Sequence, residues 1–331
     1  MNGLSSRLRA YAELGRISNL PTCISNVLVG TAIGQWAVDP ASLNGTLAID
    51  QSGGAALNLV WACLCMAVAI CFVYVGGMAL NDYADRKFDQ TNNPGRPIPS
   101  GRISVGQAAV FVVACFAVGL VMMATANPDA WQRGVIPGAL PFGLLLLAAI
   151  VLYDFFHKRH PWSVVVMGTC RGLVYLAAAA AVAWPVGLNW EMAGTFAGLI
   201  TLYTVSITII ARIEERETMD ARRWCAIIVP LMILIVPVMM AVRIHGDERF
   251  ASFRWIPAIA SATLFAYWMY ASARHVFAKP PQTRSGILKW LSGMNLCDCY
   301  FLCMLGVPLL AIGPAIAFAI TIWGHRKISG T

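Results

Sequence analysis

Long apolar runs alternate along this chain with short polar segments. A transmembrane helix needs roughly 20 mostly apolar residues. Nine stretches meet that length, at about 17–38, 55–80, 104–126, 136–155, 163–185, 190–211, 224–242, 255–277 and 297–323. The pattern predicts an all-α polytopic membrane protein: a bundle of nine transmembrane helices in one integral-membrane domain over residues 1–331. The segment before residue 17 carries arginines but no apolar stretch and no cleavage site. The first span is therefore expected to act as the membrane-targeting signal.

Composition agrees with the periodicity. The chain is 58% hydrophobic against 12% charged, with a mean hydropathy of +0.66, which excludes a soluble, secreted or disordered protein. Its 10 cysteines fall inside apolar runs and read as small buried hydrophobes, not as a disulfide framework or a zinc site. The net charge of +8 points to basic loops on an anionic lipid surface or to an anionic substrate, and not to nucleic acid. Seventeen of the 24 Lys and Arg side chains fall on the N-terminal side of the predicted spans, six on the other, and Arg171 within a span. That asymmetry predicts a cytoplasmic N-terminus and an outer C-terminus; in a bacterium the membrane would be the inner one.

Two long polar loops, 81–103 and 212–223, lie on the same predicted face, and both contain clustered acids. In the first, Asn81-Asp82-Tyr83-Ala84-Asp85-Arg86-Lys87-Phe88-Asp89, a helical turn of 100° per residue puts Asp82, Asp85 and Asp89 within about 60° of one another, with Asn81 about 40° from Asp85. Carboxylates at such spacing repel. A hard divalent cation taking oxygen ligands, such as Mg²⁺ brought in with a diphosphate, would offset the repulsion. The alternative is a solvated helix end neutralised by Arg86 and Lys87.

The run Asn81-Asp82-x-x-Asp85-x-x-x-Asp89, followed by Arg96-Pro97-Ile98-Pro99-Ser100-Gly101-Arg102, resembles the first aspartate-rich signature of the UbiA superfamily of intramembrane prenyltransferases. The short linker between Asp89 and Arg96 is similar to the prenyltransferase-like subgroup of the bacterial and algal Ebo clusters. The resemblance implies a UbiA-like fold. It also implies that Asn81, Asp82 and Asp85, with Asp89 on the same face, serve a Mg²⁺ ion on an isoprenyl diphosphate, and that Arg96 and Arg102 bind or screen the phosphates.

Tyr153-Asp154-Phe155-Phe156-His157-Lys158-Arg159 resembles the family's Y-x(4)-K-R element, in which the tyrosine and the lysine (here Tyr153 and Lys158) contact the diphosphate. The bland alternative is a basic flank with an i,i+4 pair between Asp154 and Lys158. Arg171, about nine residues into a span, is costly there unless paired or hydrated, and it predicts a polar cavity. It either contacts the anion or pairs with a carboxylate such as Asp298. The second acidic cluster departs from the family's D-x-x-x-D: Glu214 aligns with the first aspartate and Thr218 with the second, while Glu217 shares the face of Glu214. Glu214 and Glu217 are the candidates for a second metal; the alternative is a juxtamembrane helix of ion pairs.

Arg16 to Thr22 and Asn26 correspond to a family region lining the pocket near the acceptor. Phe72, Tyr74, Tyr175, Trp268 and Tyr270 are candidates to stabilise an allylic carbocation, and His157 and His160 read as solvated. The resemblance thus implies a central cavity and Mg²⁺-dependent transfer of a polyprenyl group from an isoprenyl diphosphate to an unknown acceptor in the bilayer. A membrane terpene cyclase or a non-catalytic isoprenoid-lipid carrier would be compatible with many of the same features.

Overall fold

The computed structural model describes residues 2–38, 54–157, 160–184, 187–214, 228–231, 233–244, 255–278 and 282–327, and among these it contains helices and no strand. The helices are α1 (Asn2–Leu14), α2 (Leu20–Val38, entered through a 3₁₀ turn at Ile17–Asn19), α3 (Gly54–Asn92), α4 (Val105–Thr125), α5 (Pro128–Gln132), α6 (Ala139–Phe156), α7 (Ser163–Ala183), α8 (Trp190–Glu214), α9 (Ile235–Ile244), α10 (Trp255–Val276), α11 (Thr283–Met304) and α12 (Ile312–Lys327). Within the described residues, five helices, α3, α4, α6, α7 and α8, are long and apolar enough to cross a membrane. The nine described cysteines are free.

Two elements differ from the apolar pattern. The run 297–323 is not one helix: α11 ends at Met304 and α12 starts at Ile312. Gly306 takes φ +84°, the left-handed conformation that closes a helix, and Val307 N–H returns to Leu302 O at 3.0 Å. Pro308 then cannot continue the helix. At the other end of the chain, α3 runs without a break through the acidic segment. Its 39 residues span roughly 58 Å against a hydrocarbon core of about 30 Å, so the helix is longer than the apolar layer is thick, and the acids lie in its polar C-terminal part.

α2 and α7 are packed at close range through small residues. A Cβ on Gly34 would lie 2.4 Å from Ala179 O and 2.9 Å from Val182 Cβ, and one on Gly30 would lie 2.6 Å from Ala178 Cβ. The G-x-x-x-G spacing of Gly30 and Gly34 thus faces the alanine run of α7, the usual way in which helix backbones approach within a bilayer. Gly34→Val is expected to cost about 1–3 kcal/mol by overpacking and to lower the melting temperature in detergent; an unchanged melting temperature would refute this contact.

The α2–α7 pair separates two apolar clusters. One, around Met66, Ile70, Val73 and Leu146, joins α2, α3, α6 and α7. The other, around Ile200, Tyr203, Phe265, Trp290 and Phe301, joins α2, α7, α8, α10 and α11. At one end of the bundle the C-terminal part of α3 meets the last turn of α6, and the end of α8 meets the segment that joins α6 to α7. Asn81 Nδ2 donates to Asp154 Oδ1 at 3.1 Å, and Arg212 donates to His157 O and Ser163 Oγ.

Candidate active site

The loop from Asn93 to Ser104 folds back over the end of α3. Ile98 and Ile103 are buried with Ala10 and Leu14 of α1, Ala79 and Leu80 of α3, and Ala108 and Val112 of α4. A reciprocal capping box between Ser104 and Gln107 fixes the start of α4. This anchoring holds Arg96 between two aspartates: its Nη1 lies 2.6 Å from Asp89 Oδ2 and 3.3 Å from Asp82 Oδ1. Arg16 Nη2 approaches Asp82 Oδ1 at 3.4 Å. Arg16 has φ +45°, a left-handed conformation costing a non-glycine residue about 1–3 kcal/mol, and this strained turn places its guanidinium beside α3.

One turn further along the same face, Asp85 Oδ2 lies 3.7 Å from His157 Nε2. The His157 ring stacks on that of Tyr153 with centroids 5.0 Å apart. Tyr153 and Asp154 occupy the last turn of α6. Asp154 is 5% exposed; its Oδ1 accepts from Asn81, and its Oδ2 is buried with no hydrogen-bond partner.

Deeper in the bundle, Arg171 Nη1 donates to Asn26 Oδ1 at 2.9 Å and Nη2 to Thr22 Oγ1 at 3.1 Å. Its guanidinium carbon lies 5.8 Å from the Tyr74 ring centroid. Asn26 Nδ2 in turn donates to Asp298 Oδ2 at 2.8 Å, and Asp298 also accepts from Ser25 and from the Tyr175 hydroxyl. Arg171 and the fully buried Asp298 are therefore joined through an amide relay and not by direct contact.

Between these two polar groups lies a pocket of about 330 Å³. Arg16, Asn19, Tyr74, Tyr153, Asp154 and Arg171, with Thr204 and Thr208, supply its polar lining, while Ile70, Val73, Leu146, Ile150, Ile207 and Leu291 are among the apolar residues that line it. A cationic end continuing into an apolar slot suits an amphiphile with an anionic head.

The sequence model of the UbiA prenyltransferase family matches residues 40–325. The chain belongs to the UbiA prenyltransferase family. Within the family it is similar to the digeranylgeranylglyceryl phosphate synthase of Methanopyrus kandleri, 39% identical over 120 residues, which cover 36% of this chain and 36% of that protein. The enzyme of the same name from Sulfolobus acidocaldarius is 30% identical over 150 residues, 45% of this chain and 42% of that one. The chain spans only about two-fifths of the length of these curated relatives. Its fold is shared with a UbiA homologue of Aeropyrum pernix K1, at TM-score 0.59 and 18% identity over 91% of this chain and 98% of that one. A solved structure concerned with digeranylgeranylglyceryl phosphate synthase superposes at TM-score 0.58 and 20% identity, over 92% and 99%. The chain is an all-helical, integral, multi-pass membrane protein with the UbiA fold.

The UbiA signature residues do not all occupy the places the motif implies. Asp89 is 1% exposed and is taken up by Arg96 and by Asn93 Nδ2 at 3.0 Å, which makes it an anchor for Arg96. Asn81, Asp82, Asp85 and Arg96 stand beside the pocket and are not among the residues that line it; Arg102 points to the outside, paired with Glu13 at 2.5 Å and donating to Gly95 O, and ties the loop to α1. Arg86 turns back onto Tyr83, its guanidinium carbon 4.5 Å from the ring centroid. His157 is half-buried beside Asp85, contrary to the solvated position expected for it. Of the aromatic candidates, Tyr74 lines the pocket, Tyr175 holds Asp298, Trp268 packs on Phe318, and Phe72 and Tyr270 are exposed on the outer surface. Glu214 closes α8 and only its backbone is described; Lys158 and Glu217 lie outside the described residues.

Proposed function

We propose that this protein transfers a polyprenyl group, with Mg²⁺, from an isoprenyl diphosphate to a lipophilic or small acceptor within the membrane. The observation that carries the reading is the amphiphilic pocket: Arg16 and Arg171 stand in a slot that is otherwise lined largely by apolar residues of α3, α6, α7, α8 and α11. Arg96, Arg16 and Arg171 supply fixed positive charge for the diphosphate, and the apolar wall dissolves the prenyl tail and excludes water that would capture an electron-poor prenyl carbon. The C1–oxygen bond of the donor breaks with both electrons leaving on the diphosphate, and the acceptor nucleophile bonds to C1 and gives up its proton.

The donor set fits Mg²⁺. Asn81, Asp82 and Asp85 offer oxygen ligands only, and a buried oxygen of Asp154 beside them is unsatisfied. Among the described residues no three His, Cys, Asp or Glu side chains converge as a cage, which is compatible with a cation held by one or two carboxylates and completed by substrate phosphates and water. When bound, the ion would stabilise charge developing on the leaving oxygens. The basic loops around this end of the bundle support a cytoplasmic orientation for it.

The test is to incubate the purified protein with Mg²⁺ and farnesyl or geranylgeranyl diphosphate, with and without lipid extract as acceptor. Diphosphate release that needs extract and stops with EDTA is the expected result. A hydrocarbon or cyclic alcohol formed without acceptor would replace the transferase reading with that of a terpene cyclase. Tight donor binding with no turnover under either condition would leave a carrier.

A further inference from the structure

We propose that Asp154, at the end of α6, is a direct oxygen ligand of the divalent cation that accompanies the diphosphate, sharing the ion with Asn81 and Asp85 of α3. The assignment rests on the metal-dependent reading above and adds to it a ligand from a second helix. Asp154 lines the pocket next to Arg16 and Tyr153. It is 5% exposed. One of its oxygens accepts from Asn81 Nδ2, while the other is buried without a hydrogen-bond partner. No Lys, Arg or His among the described residues forms an ion pair with it: Asp85 and Asp82 bring further negative charge to bear on it, and Arg16 offsets part of that charge without a contact.

Such an oxygen is costly unless something positive meets it. A proton would neutralise Asp154 alone and leave the negative charge that Asp85 and Asp82 bring beside it. A divalent cation offsets that charge as well. Asn81 commits its amide N–H to Asp154, which leaves its amide oxygen free, and Asp85 follows Asn81 on the same helix face, about 40° away. Two carboxylates and an amide oxygen are a protein share that Mg²⁺ accepts when phosphates and water complete the shell. The Asn81–Asp154 hydrogen bond also orients both groups, as outer contacts of metal ligands commonly do. Asp82, by contrast, is already met by Arg16 and Arg96.

Mn²⁺ serves as the probe. The full chain in detergent is titrated with Mn²⁺ in the presence of inorganic pyrophosphate, and the loss of the free-ion paramagnetic resonance signal is compared among wild type, Asp154→Asn, Asp154→Glu and Asp85→Asn. Asp154→Asn is expected to weaken Mn²⁺ binding at least about tenfold, with Asp154→Glu binding better than Asp154→Asn. The metal-free melting temperature of Asp154→Asn should not fall, since an unmatched charge is removed. Wild-type affinity in Asp154→Asn together with loss in Asp85→Asn would overturn the assignment of Asp154 and leave the metal-diphosphate reading standing. Equal losses in the Asn and Glu variants would make Asp154 a packing residue and overturn it as well. No Mn²⁺ uptake by wild type beyond that of pyrophosphate alone would bring down the metal reading and the assignment together. Should Asp154→Asn not fold, Asp154→Ser carries the same comparison.

Discussion

Asp85→Ala is expected to abolish turnover, by at least about 10²- to 10³-fold, the usual cost of removing one group that stabilises charge on a leaving oxygen, while the protein keeps its fold in detergent. Asp85 is only partly buried and lies 3.7 Å from His157 Nε2, so its side chain contributes less to the packed core than that of Asp82 does. Asp82→Ala should also stop turnover, but with a different stability signature. On a bare helix carrying three aspartates, deleting one would relieve repulsion and raise the melting temperature. In the folded protein Asp82 is 4% exposed and receives both Arg16 and Arg96. Its loss leaves Arg16 in a strained left-handed turn with nothing to hold, and the metal-free melting temperature should fall. Product formation with Mg²⁺ and melting in EDTA, measured side by side for the two variants, read the two effects separately. Wild-type turnover in Asp85→Ala, with EDTA equally harmless, would end the metal-diphosphate reading.

The contrast between these neighbours shows what was legible in the sequence. The acid spacing on α3 follows from helix geometry, and the motif around Arg96 follows from residue identity, so both could be read from the chain. The partners could not, because they arrive from elsewhere: Arg16 through a turn with positive φ, His157 and Asp154 from the end of α6. In the sequence Asp154 is an unassigned position of the Y-x(4)-K-R element or, alternatively, the i,i+4 partner of Lys158, and neither reading brings it to Asn81. Asp89 looked equivalent to Asp82 by angle. What distinguishes them is the loop of Ile98 and Ile103, whose burial under α1 and α4 clamps Arg96 onto Asp89. The break between α11 and α12 was written as Gly306-Val307-Pro308 but was hidden by the continuous apolarity around it.

Arg171→Leu is expected to weaken binding of an isoprenyl diphosphate analogue at least about 100-fold, roughly 2.7 kcal/mol, and to lower the melting temperature as well. Two placements of this cation were open from sequence, on an anion or on Asp298. The structure couples them: Arg171 lines the pocket and reaches Asp298 through Asn26. Removing the guanidinium takes positive charge away from the incoming diphosphate and also from a carboxylate with 0% exposure; an uncompensated buried charge of this kind is strongly destabilising. Arg171→Lys should recover part of the binding, because an ammonium restores the charge but not the planar fork that holds Asn26 and Thr22 together. The double variant Arg171→Leu/Asp298→Asn separates the two roles. With both charges gone, stability should recover relative to Arg171→Leu alone, a coupling that a double-mutant cycle measures, whereas analogue binding should remain lost. If binding recovered along with stability, the arginine would serve the fold and not the anion; if Arg171→Leu alone bound the analogue normally and melted higher, it would serve neither.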